Sequence, residues 1–133
     1  MGKRRFTEDS WRRDPWFQAL VDALLHSKTP EDMGNFLRDI ATLSELQAWG
    51  ERLEVAKLLA QGLSYREVAK RTGASTTTVT RVAKFIENGE GGYRKVLKTH
   101  RHHRMKVDVK QESEASHQEK SQPVSPLQKY LQR

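Results

Sequence analysis

The stretch YREVAKRTGASTTTVTRVAK, residues 65–84, gathers the side chains of this chain best suited to hold a polyanion. Ser75, Thr76, Thr77 and Thr78 make a row of short hydroxyls; Thr80, Arg81 and Lys84 follow, and Arg66, Lys70 and Arg71 stand just upstream. Hydroxyls bond phosphates or base edges, and threonine methyls contact thymine methyls. Lysine and arginine neutralise phosphates. Residues 64–84 carry five cations against Glu67 alone, a net +4, while the rest of residues 14–98 sums to −3. One short segment is therefore basic within an otherwise acidic region, the distribution expected of a nucleic-acid contact.

Such groups act together only if two helices present them. Ala69, Gly73 four residues on, Val79 six beyond it and then Val82 have the spacing of a helix-turn-helix over about 65–84. A small residue, Ala69, suits the point where two crossed helices touch, and Gly73 suits a turn that needs a positive φ. Val79 and Val82 would face back onto Val68. Arg66, Lys70 and Arg71 then lie on the first helix, the one that crosses the DNA backbone in this motif. Ser75, Thr76, Thr77, Thr80, Arg81 and Lys84 lie on the second, with Thr78 free to turn inward as part of the cap. The competing reading is a helical hairpin used only for packing, with its hydroxyls spent on capping.

The elements around this pair are also helical. Asp14-Pro15 and Thr29-Pro30 are start signals, each an N-cap residue followed by a proline at the first helical position. Phe17, Leu20, Val21, Leu24 and Leu25 make one apolar stripe, and Met33, Phe36, Leu37 and Ile40 a second. Ser44 with Gln47 predicts a capping box for a third helix that runs to about Gln61 and stops at Gly62. Ser64 with Glu67 predicts another box, and Ser75 the cap of a helix that ends at Asn88-Gly89. Tyr93, Val96 and Leu97 suit a last short helix. No alternating pattern predicts a strand.

Composition narrows the function classes. The chain has 133 residues, a net charge of +7, 35% hydrophobic residues and no cysteine. That excludes disulfides, thiol nucleophiles and cysteine-based metal sites. No apolar run has the ~18 residues that a membrane span needs, and the basic N-terminus lacks the apolar stretch of a secretory signal. A cytoplasmic, nucleoid-associated protein without membrane contact is expected. Residues 1–13 hold five cations and two acids and read as a mobile basic arm; residues 14–98 form the helical domain; residues 99–133, at +3, read as a disordered basic tail. The tail's one apolar cluster is Leu127, Tyr130 and Leu131. His100, His102 and His103 lie among Arg101, Arg104 and Lys106 and read as a solvated basic stretch, so no metal and no cofactor are expected. Ser44, Ser64 and Ser75 are accounted for as caps, which leaves no nucleophile beside a base and no enzyme.

The stretches LSELQAWGERLEVAKLLAQGLSYREVAKRTGASTTTVTRV and ENGEGGYRKVL resemble the Trp repressor superfamily, and residues 16–98 resemble its small TrpR-like YerC/YecD branch. The resemblance implies an all-α fold of six helices with a helix-turn-helix, in an intertwined homodimer whose first three helices build a shared core. It also implies a tryptophan site between an arginine of the third helix and one of the recognition helix; the matching positions are Arg52 and Arg81. Where the repressor has a glycine and a serine that make room for the indole, this chain has Val82 and Phe85. Both are expected to occlude that space, so DNA binding without tryptophan is expected and any small-molecule effector is left unknown. Arg52 has Glu51 and Glu54 beside it as alternative ion-pair partners. A sequence-specific regulator that acts as a repressor on double-stranded DNA is the leading expectation. An architectural or replication-associated DNA binder and a helical protein-interaction module are the alternatives.

Overall fold

The computed structural model describes residues 2–98, all helix, turn or coil, with no strand among them. A short 3-10 turn, Trp11–Arg13, precedes α1 (Pro15–Leu25), α2 (Pro30–Ile40), α3 (Leu43–Ala60), α4 (Tyr65–Thr72) and α5 (Thr76–Asn88). A sixth helix, α6, includes residues 92–98. The expected disordered tail, with its histidines and its Leu127–Leu131 cluster, lies outside the described residues. The chain divides into two compact units inside α3, between Leu46 and Gln47.

In the first unit the helix starts follow the sequence signals. The Asp14 carboxylate accepts the Trp16 N–H at 2.9 Å, and Thr29 Oγ1 accepts the Asp32 N–H at 3.1 Å. Pro15 and Pro30 sit in the first turns, where a missing N–H has no helical partner to lose. The start of α3 differs from expectation. Its cap is Thr42, not Ser44: Thr42 Oγ1 accepts the Glu45 N–H at 3.1 Å, and Glu45 Oε1 accepts the Thr42 N–H at 3.0 Å and hydroxyl at 2.9 Å. Both Thr42-x-x-Glu45 and Ser44-x-x-Gln47 fit the capping box, and the carboxylate wins because charge-assisted bonds are stronger and the helix N-terminus favours an anion.

Neither α1 nor α2 contains a buried residue. Leu20, Val21, Leu25 and Ile40 are exposed along the very stripes that the periodicity picks out. The segment before α1 is more organised than a bare arm. Trp11 and Phe6 each meet Phe17 edge-to-face, with ring centroids at 4.9 and 6.2 Å. Trp11 and Phe6 thus lie against the first turn of α1, a non-periodic contact that a helical pattern does not reveal.

The second unit has a closed core. Val55, Ala56 and Leu59 of α3, Val68 of α4, and Val79, Val82, Ala83 and Ile86 of α5 cluster with Ala74 and Leu97. The Ser64 and Ser75 hydroxyls cap α4 and α5 by accepting the N–H groups of Glu67 at 3.2 Å and Thr78 at 3.1 Å. Gly73 closes α4 with φ at +76°, in the left-handed region that disfavours a side chain. Gly89 ends α5 for a different reason: its N–H bonds the Phe85 carbonyl at 2.9 Å, and a Cβ there would run into that same carbonyl.

Candidate nucleic-acid interface and the adjoining cavity

Helix α5 separates its side chains by chemistry. Val79, Val82, Ala83 and Ile86 are buried, whereas Thr76, Thr77, Thr80, Arg81 and Lys84 are exposed. Thr77, Thr80, Arg81 and Lys84 fall at i, i+3, i+4 and i+7, which puts a hydroxyl–cation row down one outer face. Thr80 Oγ1 donates to the Thr76 carbonyl at 2.8 Å, so its proton is used within the helix while its methyl and its acceptor capacity stay outward. Ser75 is exposed at the cap, and its hydroxyl also donates to Thr78 Oγ1 at 3.1 Å.

On α4, Arg66, Lys70 and Arg71 are exposed. Glu67, read from the sequence as half of a capping box, does something else with its carboxylate: Oε1 accepts from Arg71 Nε at 2.9 Å. That bond holds the Glu67 carboxyl below its usual range, ahead of a smaller opposing effect of burial and with help from the Arg71 and Lys70 charges. It also ties the Arg71 side chain to its own helix through Nε. Ala69, expected at the crossing, is partly buried, and Val68 beside it is fully buried. All nine candidate DNA contacts lie at exposed positions of α4 and α5 or at the cap, and the Glu67–Arg71 bond is what the sequence reading did not foresee.

Beside this surface the same unit holds a cavity of about 820 Å³, open to solvent and walled by α3, α5 and α6. Arg52 and Arg81 both line it, as do Leu53, Phe85, Tyr93 and Val96. Val82 and Phe85 also line the cavity, Val82 drawn into the core at 3% exposure and Phe85 at 64%. Of the two alternative partners for Arg52, Glu51 and Glu54, the Glu54 carboxylate accepts from Lys57 Nζ at 3.0 Å. Burial pushes the Tyr93 phenol above its usual pKa, and the nearby Arg52 charge partly offsets this. Thr78 also lines the cavity, which the sequence did not foretell; its only signal was a cap position that admitted an inward rotamer.

An all-α chain with this outer row of hydroxyls and cations, closed behind by a buried apolar face, has the fold of a DNA-binding regulator. The model of the family described as Trp repressor protein matches residues 16–101, well over half of the chain, and the chain belongs to that family. YerC of Bacillus subtilis (strain 168), an uncharacterized protein, is 36% identical over 78 residues, 59% of this chain and 75% of that one. Among solved structures, a TrpR-like protein from Eubacterium eligens ATCC 27750 superimposes with a TM-score of 0.63 at 32% identity, covering 65% of this chain and 90% of its own. A candidate Trp repressor from Staphylococcus aureus gives 0.64 at 30% identity, with 77% and 97% covered. The family is regulatory and DNA-binding, not enzymatic, and no described helix is long and apolar enough to cross a membrane.

Proposed function

We propose that this protein is a homodimeric, sequence-specific repressor that reads double-stranded DNA through α4 and α5 acting as a helix-turn-helix. The observation that carries the reading is the division of α5: four buried apolar residues behind, and Thr76, Thr77, Thr80, Arg81 and Lys84 in front. Arg66, Lys70 and Arg71 take the phosphates, which sets register, and the hydroxyl row meets base edges, which sets sequence. The dimer is supported by the apolar stripes of α1 and α2, along which Leu20, Val21, Leu25 and Ile40 stay exposed and no residue is fully buried. Two copies with two-fold symmetry would place their recognition helices about 34–36 Å apart, one turn of DNA.

DNA binding in this reading needs no tryptophan. Helix α5 is already anchored through Val79, Val82, Ala83 and Ile86, so its placement does not depend on a ligand in the adjoining cavity. The cavity between Arg52 and Arg81 is then a neighbour of the reading surface, not a precondition for its placement. Selection of bound sequences from random duplex DNA at fixed salt, with and without L-tryptophan, tests this. A two-fold symmetric consensus enriched equally in both arms is expected; enrichment only with tryptophan overturns the ligand-free reading. Sedimentation is expected to give twice the 15.4 kDa chain mass.

A further inference from the structure

We infer that residues 3–16 form a second nucleic-acid contact, a cation–aromatic platform that takes phosphodiester backbone away from the base pairs read by α5. The feature lies in the first compact unit and is independent of α4 and α5. It rests on the DNA-binding reading above only in that the same duplex supplies the phosphates.

Lys3, Arg4, Arg5, Arg12 and Arg13 are all exposed. Two of them are held in place by rings. The Arg4 guanidinium lies 5.2 Å from the Trp16 ring centroid while its Nε donates to Asp14 Oδ2 at 3.0 Å. The Arg12 guanidinium lies 4.8 Å from the Trp11 centroid. A third, Arg13, donates from Nη2 to the Asp9 carbonyl at 3.1 Å. The rings are themselves fixed: Trp11 sits against Phe17, and Trp16 stands in the first turn of α1 behind its Asp14 cap.

A loose arm would keep its arginines in water, at full rotamer freedom. Here each guanidinium over a ring has already lost much of that freedom before any ligand arrives, and a planar, weakly hydrated cation is the group that grips a phosphate through two N–H bonds. Asp14 contributes twice. One oxygen caps α1 and the other clamps Arg4 through Nε, which leaves the terminal nitrogens for the ligand. Three acids, Glu8, Asp9 and Asp14, stand among the five cations, so the patch keeps a net +2 over residues 3–16. That balance suits a polyanion such as duplex backbone. The ring faces mainly support cations, so stacking of unpaired bases is the weaker use of the site.

The test compares full-length wild type with Arg4→Gln/Arg12→Gln, with Trp16→Leu and with Lys70→Ala, on a selected duplex and on the same site extended by ten base pairs each side, across a salt series. The double variant is expected to lower the salt slope by about one per cation removed and to abolish any gain from the longer duplex, with site preference unchanged. Trp16→Leu keeps every charge, so a several-fold loss confined to the longer duplex would show that the stacking itself matters. Lys70→Ala is expected to weaken both duplexes alike. An unchanged slope and affinity in the double variant, with Lys70→Ala still impaired, overturns the platform and leaves α4–α5 reading intact. Stronger binding of single strands than duplex by this segment overturns the backbone assignment. Wild type that binds no duplex at low salt overturns both readings.

Discussion

The two halves of this chain bury their apolar residues in opposite ways. In the second unit, Val55, Leu59, Val68, Val79 and Ile86 are fully buried within one subunit. In the first, no residue of α1 or α2 is fully buried, and Leu25 is 76% exposed although it ends a clean apolar stripe. Both halves carry the same helical periodicity. The difference shows that an amphipathic pattern specifies which face a helix hides, not what hides it. The second unit completes its own core; the first leaves much of its apolar stripes exposed.

The largest effect should come from breaking the closed half. Leu59→Ala removes a fully buried side chain and is expected to cost ~2–5 kcal/mol, read as a loss in chemical denaturation that does not depend on protein concentration. Leu24→Ala and Leu25→Ala in the open half are expected to act only through assembly, lowering the concentration-dependent part of the melting temperature. Equal losses at both sites, at all concentrations, would abolish the contrast.

Thr77→Ala addresses what the closed half presents. It is expected to change relative preference among DNA sites by ~1–3 kcal/mol at a good contact, with the fold unmoved. Uniform weakening on all sequences would assign Thr77 to the backbone instead. Within the helix starts the effects are smaller. Thr42→Ala is expected to lose ~0.5–2 kcal/mol, and Ser44→Ala almost nothing, as thermal melts of the two variants will show. Gly50 in α3 has open space where a Cβ would stand. Gly50→Ala is expected to stabilise the single subunit by ~0.5–1 kcal/mol; dimer loss on the same change would mark that spot as the place where a second helix approaches.

The smallest change follows from pH. Asp14 and Glu67 both have carboxyl pKa values below the ordinary range: burial tends to raise Asp14, but bonds from Arg4 and the Trp16 N–H outweigh it, and Glu67 is held down first by Arg71. A depressed folded-state pKa means stability that is present above the unfolded value and is lost as pH falls through the folded one. A helicity titration should therefore stay flat from neutral pH down to the ordinary carboxylate range and decline only below it. Asp14→Asn should remove the Arg4 part of that decline, and Glu67→Gln the Arg71 part.

What the sequence disclosed follows the same division. The helices, the Pro15 and Pro30 starts, the Ser64 and Ser75 caps and the turn at Gly73 were legible because each depends on residues within four positions of one another. The outer row of α5 was legible for the same reason. The cap of α3 was misplaced by two residues because two overlapping boxes fit and only geometry chooses between them. The Phe6–Phe17 contact was invisible because no period links a coil to a helix. Where Val82 and Phe85 point relative to the cavity was not legible at all. Neither direction is written in a residue type.

Thr78 belongs to two structures at once. Its N–H and hydroxyl bond the Ser75 side chain at the start of α5, and its side chain lines the cavity. For anyone re-engineering this protein, the cavity and the reading surface are therefore not separate design problems. A change at Thr78 made to suit a new small molecule will also loosen the Ser75 cap beside Thr76 and Thr77, so its effect is expected not to add to theirs. A library that randomises the three positions together should recover altered DNA specificities that no series of single steps would reach.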